Sequence, residues 1–205
     1  MCGIVGWSGN VDASRLAAAL GRLAHRGPDD EGLWYDEQAG VGLGHRRLAV
    51  IDLSSAARQP MWDASKEVAL VFNGEIYNFR ELRRELINRG FSFRTQSDTE
   101  VLLALYLAEG TEMLPQLDGM FAFAIWDGRR RSLFLARDAL GVKPLYYAEW
   151  AGGVAFASEI KALLPLLARR GALDLEALHR YLAFLWCPGE RTLLEGVRKL
   201  APGKR

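Results

Sequence analysis

Residues 68–90 read VALVFNGEIYNFRELRRELINRG. The first five, 68–72, are apolar and partly β-branched, which reads as a buried strand. Asn73-Gly74 follows, a dipeptide that commonly marks a turn. Then the period changes: Asn78 and Glu81 stand at capping-box spacing, Leu82 and Leu86 lie one helical step apart, and Gly90 supplies a stop, so a helix is predicted over 78–89. Ser97 and Glu100 repeat the box, Leu102, Leu105 and Ala108 follow at helical intervals, and Gly110 ends a second helix over 98–109. A strand followed by two successive helices is not the alternation of a parallel βαβ sheet.

Outward from this stretch the pattern is of strands at 4–7, 33–35, 41–46, 121–126, 132–136, 145–148 and 154–157, several meeting at hairpin-like turns. They are predicted to pair mostly antiparallel. Two further amphipathic helices are expected, over 12–24 with Leu16, Leu20 and Leu23 on one face, and over 174–185 with Leu178, Tyr181 and Leu182. Asp12 and Asp174 suit their caps. The class is α+β in packed layers. The length of 205 residues fits one domain, expected over 1–187, while the Pro/Gly-punctuated 188–205 reads as a linker toward a further domain.

Lys plus Arg number 26 against 25 for Asp plus Glu, so no long-range field draws nucleic acid or an anionic membrane. No apolar run approaches the roughly 18 residues of a membrane span, and the opening MCGIVGW shows no basic segment followed by a long apolar stretch. The two cysteines, Cys2 and Cys187, form neither a CxxC nor a disulfide framework, which fits a reducing compartment and a cytoplasmic location.

Several local matches carry no chemistry. GVGLG at 40–44 has His45 where a dinucleotide loop requires its third glycine, and no helix follows. SGNVDAS at 8–14 departs from the S-G-G-x-D-S pyrophosphate loop at its second glycine. The three histidines, His25, His45 and His179, lie at no metal-ligand spacing, so no metal site is expected. Arg129, Arg130 and Arg131 follow Asp127-Gly128 and read as a solvated hairpin turn.

Cys2 is different, because removal of Met1 would leave a thiol and a free α-amino group on one residue. The amine titrates near ~7.7–8.0 and the thiol near ~8.5, so at neutral pH the amine can take the thiol proton without a histidine. Attack on an amide needs donors aimed at the developing oxyanion. Asn73 and Gly74, at the end of one strand and ahead of a capped helix, are placed to supply a side-chain amide and a bare backbone N–H, although an ordinary turn is the readier reading of the dipeptide taken alone.

Eight ordered blocks, MCGIVG (1–6), HRGPDD (25–30), GHRRLAVIDLS (44–54), FNGEIYN (72–78), SDTE (97–100), DGMFAFAIWD (118–127), RDALGVKPLYY (137–147) and FASEIKA (156–162), closely resemble the N-terminal glutaminase domain of glutamine-hydrolysing asparagine synthetases. That domain is a class II amidotransferase of the N-terminal-nucleophile hydrolases. The resemblance implies a four-layer α-β-β-α sandwich, Cys2 as nucleophile, and Asn73 with Gly74 as the oxyanion hole. It implies that Arg47 pairs with the α-carboxylate of L-glutamine, that Glu75 and Asp98 accept its ammonium group, and that Leu48, Ala49, Val50 and Ile51 line the pocket through backbone groups. It assigns the segment 25–30 to access over the pocket, and leaves the 137–147 block as a structural turn.

The same resemblance implies a C-terminal synthetase domain as partner, where ATP and magnesium would act. No cofactor is expected in this chain, and a homodimer stays open. Two rivals remain at this stage: a glutaminase serving another acceptor, and a non-catalytic module of the same fold.

Overall fold

The computed structural model describes residues 1–167 and 171–205. Period-two alternation builds its centre. On β5 (Val68–Ile76) the residues Val68, Leu70 and Phe72 face one way and Ala69 and Val71 the other. On β6 (Gly119–Asp127) Phe121, Phe123 and Ile125 share the first face, and Ala122, Ala124 and Trp126 the second. The first face packs on two helices and the second on another sheet, so the apolar residues on both faces have a buried destination.

The chain order is β1 (Gly3–Ser8), α1 (Ser14–Gly21), β2 (Asp30–Asp36), β3 (Val41–Arg47), β4 (Met61–Trp62), β5, α2 (Phe79–Asn88), α3 (Asp98–Glu109), β6, β7 (Ser132–Arg137), β8 (Tyr146–Trp150), β9 (Gly153–Ala157), α4 (Ile160–Leu163), α5 (Leu175–Phe184) and β10 (Val197–Lys199). A six-stranded sheet runs β10-β8-β9-β1-β3-β2 and a four-stranded sheet runs β4-β5-β6-β7. Each pairing is antiparallel. Helices α2 and α3 cover the outer face of the small sheet, and α1 and α4 that of the large one. Ile4, Leu43, Val71 and Phe156 join the alanines between the sheets. The architecture is the expected α-β-β-α sandwich.

Four local expectations need correction. Asn73-Gly74 is no turn: β5 runs through it, with Asn73 opposite Ala122 and Gly74 opposite Phe121. A side chain at position 74 would meet the Met120 carbonyl at 2.3 Å and the Phe121 Cα at 2.7 Å, so glycine is there for close strand approach. Asn78 precedes α2 but does not cap it, because its amide bridges the Gln116 carbonyl and the Asp118 N–H. Ser97 does cap α3 through the Glu100 N–H, whereas the Glu100 carboxylate turns to the N–H groups of Arg94 and Thr95.

The other two concern the C-terminal part. Residues 188–205 are not a free tether: β10 pairs with β8, Thr192 is buried, and Leu200 N–H bonds the Leu145 carbonyl. Helix α5 forms with its Asp174 cap, but Leu175 and Leu182 stay about 70% exposed and only Ala177 is buried. Its apolar stripe faces away from the domain instead of into it. No helix among the described residues is long and apolar enough to cross a membrane.

The loop after β7 is held from within. Asp138, 1% exposed, accepts backbone N–H groups from Phe121, Leu140, Val142 and Lys143 at 2.9–3.2 Å. Arg137 donates to the carbonyls of Lys143 and Leu200, both at 2.7 Å, and of Gly141. Asp138→Ala would leave several buried N–H groups without acceptors and should lower unfolding free energy by about 3 kcal/mol or more. Asp138→Asn keeps an acceptor oxygen and should lose less. Urea unfolding measures both, and an unchanged midpoint for the alanine variant would contradict this role for the carboxylate.

Candidate functional site

The start of β1 is clamped from two sides. Gly3 pairs with Arg46 on β3, and Ser158 fixes Ile4 through both its hydroxyl and its backbone N–H. Cys2, one residue earlier, projects its thiol toward the chain that leaves β3. The Sγ lies 3.4 Å from the Leu48 N–H and 3.6 Å from the Leu48 carbonyl. Burial pushes the thiol pKa up, and the Leu48 backbone, the N-terminal charge and Arg47 offset this only in part. A thiol held protonated needs a base before it can attack.

The thiol opens on a cavity of about 200 Å³ between the ends of the two sheets. Its wall includes Met1, Cys2, Arg47, Leu48, Val50, Ile51, Asn73, Gly74, Glu75 and Asp98. The fold thus collects every sequence-expected residue except Ala49, whose N–H is spent on Asp29 at 2.9 Å. Val50 is 70% exposed at the rim, so the segment 48–54 forms the outer cover. The cavity lining does not include the segment 25–30, where Arg26 and Gly27 are buried and a side chain at Gly27 would strike the Arg46 backbone at 2.4 Å.

Asn73 is 1% exposed, and its Nδ2 has no hydrogen-bond partner among the described residues. A buried amide N–H left unpaired costs on the order of 1–3 kcal/mol. Arg47 is also buried, with Nη1 on the Ser54 carbonyl at 2.9 Å and Nη2 on the Asp52 carbonyl. Two of its five donors are placed there, which fixes the fork and leaves the others for a ligand.

Asp98 opens α3 and is 5% exposed. Burial raises its pKa to about 6, against the lowering effect of N–H bonds from Ile76 and Thr99, and nearby Glu75 raises it further. The Ile76 N–H bond is 3.1 Å. A cation placed between Glu75 and Asp98 would relieve both. The cavity therefore has a guanidinium on one wall, two carboxylates on another, and a thiol with an unpaired amide N–H between them.

Sequence reasoning passed over three residues. Arg26 Nε donates to the Cys2 carbonyl at 2.8 Å while its Nη1 pairs with Glu159 at 2.9 Å. Burial alone would raise the Glu159 pKa, but bonds from Arg26, His25 and Lys161 bring it to about 2, so it stays anionic. Lys143 reaches the cavity from the loop after β7. The signal for Arg26 and Glu159 lay only in their blocks, HRGPDD and FASEIKA, since 133 residues separate them. His45 does not serve the thiol; it is buried, holds the Phe72 carbonyl at 3.1 Å, and burial lowers its pKa to about 4.

The whole chain, residues 1–205, matches the glutamine amidotransferase domain family. It is 44% identical to a putative glutamine-hydrolysing asparagine synthetase of Mycobacterium bovis, over 98% of this chain and 32% of the relative. It is 42% identical to asparagine synthetase 1 of Bacillus subtilis, over all of this chain and 33% of the relative. The chain thus spans about a third of the length of these relatives, and corresponds to their N-terminal part. Among solved structures, the B. subtilis glutamine phosphoribosylpyrophosphate amidotransferase superposes with a TM-score of 0.67 at 25% identity, covering 79% of this chain and 43% of that one. Sequence blocks, layered fold and cavity agree with these likenesses: the chain belongs to the glutamine amidotransferase domain family.

Proposed function

We propose that the chain hydrolyses the side-chain amide of L-glutamine through Cys2, once Met1 has been removed. The observation that carries this reading is the buried, unpartnered Nδ2 of Asn73 on the same cavity as the Cys2 thiol. A donor left empty in the resting protein is what an oxyanion site requires, since its bond forms only as charge develops.

In this reading the Cys2 α-amine takes the thiol proton, and sulfur attacks the amide carbon. The oxygen becomes an oxyanion facing Asn73 Nδ2 and the Gly74 N–H. The amine returns the proton to the leaving nitrogen, ammonia departs, and a γ-glutamyl thioester remains. Water, deprotonated by the same amine, opens the thioester to glutamate and restores the thiol. Before processing, the Cys2 nitrogen is an amide and cannot be this base, and Met1 itself stands on the cavity wall.

Arg47 would take the substrate α-carboxylate, for which its planar fork suits a bidentate pair. Glu75 and Asp98 would take the α-ammonium group. Chain hydrolysis draws on these side chains alone; ATP, magnesium and aspartate would belong to a ligase step in the remaining two thirds of a protein like the asparagine synthetase relatives. That acceptor rests on the relatives' names. The free thiol suits a reducing, cytoplasmic setting.

Intact mass of active protein should show a chain beginning at Cys2. Cys2→Ala should abolish glutamate release. Asn73→Ala should lower kcat about 10²–10³-fold by loss of one oxyanion donor; a rise in KM alone would contradict its placement.

Asp98 gives a pH dependence of definite sign. Its pKa of about 6 means that the carboxylate is ionised above and neutral below that value. Glutamine affinity should therefore weaken as pH falls through about 6, and Asp98→Asn should be weak at every pH. Calorimetric titration into Cys2→Ala protein reads this without turnover. An affinity flat from neutral to acid pH would show that Asp98 does not meet the ammonium group.

A further inference from the structure

Lys143 ends the loop that Asp138 and Arg137 hold, and it is 7% exposed. Its Nζ lies 3.6 Å from the Met1 sulfur, and among the described residues no carboxylate lies within ion-pair distance of it. A buried ammonium without a counter-ion is costly, and the rigid loop keeps it from swinging to water. Met1 spans the gap between this ammonium and the Cys2 nitrogen, which is bonded to the Met1 carbonyl carbon.

The charges around that nitrogen come from several elements. Arg26, 3.9 Å from the same sulfur, is already neutralised by Glu159. Arg47 at the end of β3 is positive, whereas Glu75 on β5 and Asp98 on α3 are negative. Left alone, the two carboxylates would favour the protonated form of a nearby amine, and an ammonium cannot accept the thiol proton. Lys143, in contact with the Met1 side chain that processing removes and on the same cavity as Cys2, adds an opposing cation.

Resting on the Cys2 reading above, we propose that Lys143 is a positioning residue whose fixed charge keeps the processed Cys2 α-amino group in its neutral, proton-accepting form. The 137–147 block then has a purpose beyond its turn, which is to hold one cation at a set distance from the chain terminus. Lysine and arginine serve equally in this role; a neutral side chain of similar shape does not.

The test compares the processed chain, which begins at Cys2, with its Lys143→Met and Lys143→Arg variants. In the pH profile of kcat/KM for glutamine hydrolysis, the acidic limb should move up by about one pH unit in Lys143→Met, about tenfold slower on that limb with the alkaline plateau kept. Lys143→Arg should retain the parent limb. A second readout needs no turnover: competitive labelling of the α-amine by acetic anhydride across pH. Its midpoint should lie below the usual ~7.7–8.0 in the parent and rise by about one unit in Lys143→Met. If the methionine variant loses its circular dichroism, Lys143→Gln takes its place.

An unmoved limb and labelling midpoint would overturn the proposal, and so would a uniform fall in rate at every pH, which marks a substrate contact or a structural part. Failure of the underlying reading looks different: Cys2→Ala would still release glutamate. Where Cys2→Ala is dead and the limb stays still, only the role of Lys143 falls.

Discussion

Chain termini fray unless they are tied down, and here the thiol on which the site depends stands one residue from the end. The tie is the Arg26 guanidinium. It holds the Cys2 carbonyl by one nitrogen and Glu159 by another, and Glu159 is in turn bonded by His25 and Lys161. Beyond it, β1 lies between β3 and β9, so the residues from Val5 to Ser8 are paired on both edges. Positional precision at a free end is thus drawn from the centre of the large sheet. Without the clamp, neither the Leu48 contact nor the distance to Asn73 would be defined.

The opposite wall works by leaving groups unsatisfied. Asn73 is held by β5 at the centre of the molecule, and close approach by β6, permitted by glycine at 74, stops the strand from shifting to find the amide a partner. Asp98 is kept from water with its pKa near 6, and Arg47 spends two donors on holding its own fork in place. Each arrangement costs stability in the empty protein, and each would be relieved by the zwitterion with a side-chain amide proposed above. The surrounding sandwich, with buried residues on both faces of β5 and β6, supplies the stability that such a site draws on.

Much of this was legible in the sequence wherever the signal is local. Ser97 and Gly110 bracket α3 because a cap and a left-handed stop act within a few residues, and the apolar run 121–126 was legible as a strand. Signals failed where two partners are distant or where one pattern has two outcomes. Asn78 has the spacing of a capping box, yet Gln116 and Asp118 compete for its amide and win. Asn73-Gly74 has the composition of a turn, but the β6 register carries the strand through it. The stripe on α5 is amphipathic in sequence, and periodicity alone does not say whether a partner lies against it. Strand β10 is three residues long among prolines and glycines, too short for any pattern to show.

The Arg26–Glu159 pair makes the same point at the site. A buried arginine in an Arg-Gly-Pro run reads as a loop residue, because nothing nearby in sequence announces its carboxylate. Only the antiparallel arrangement of β1 and β9 brings position 159 beside the chain terminus. The same holds for Lys143, where Asp138 gathers backbone N–H groups so tightly that the next side chain has one direction to take. The geometry around the N-terminal residue is therefore built from three segments that meet only in the folded sheet, and the residues proposed to carry the chemistry are fewer than those that hold them in place.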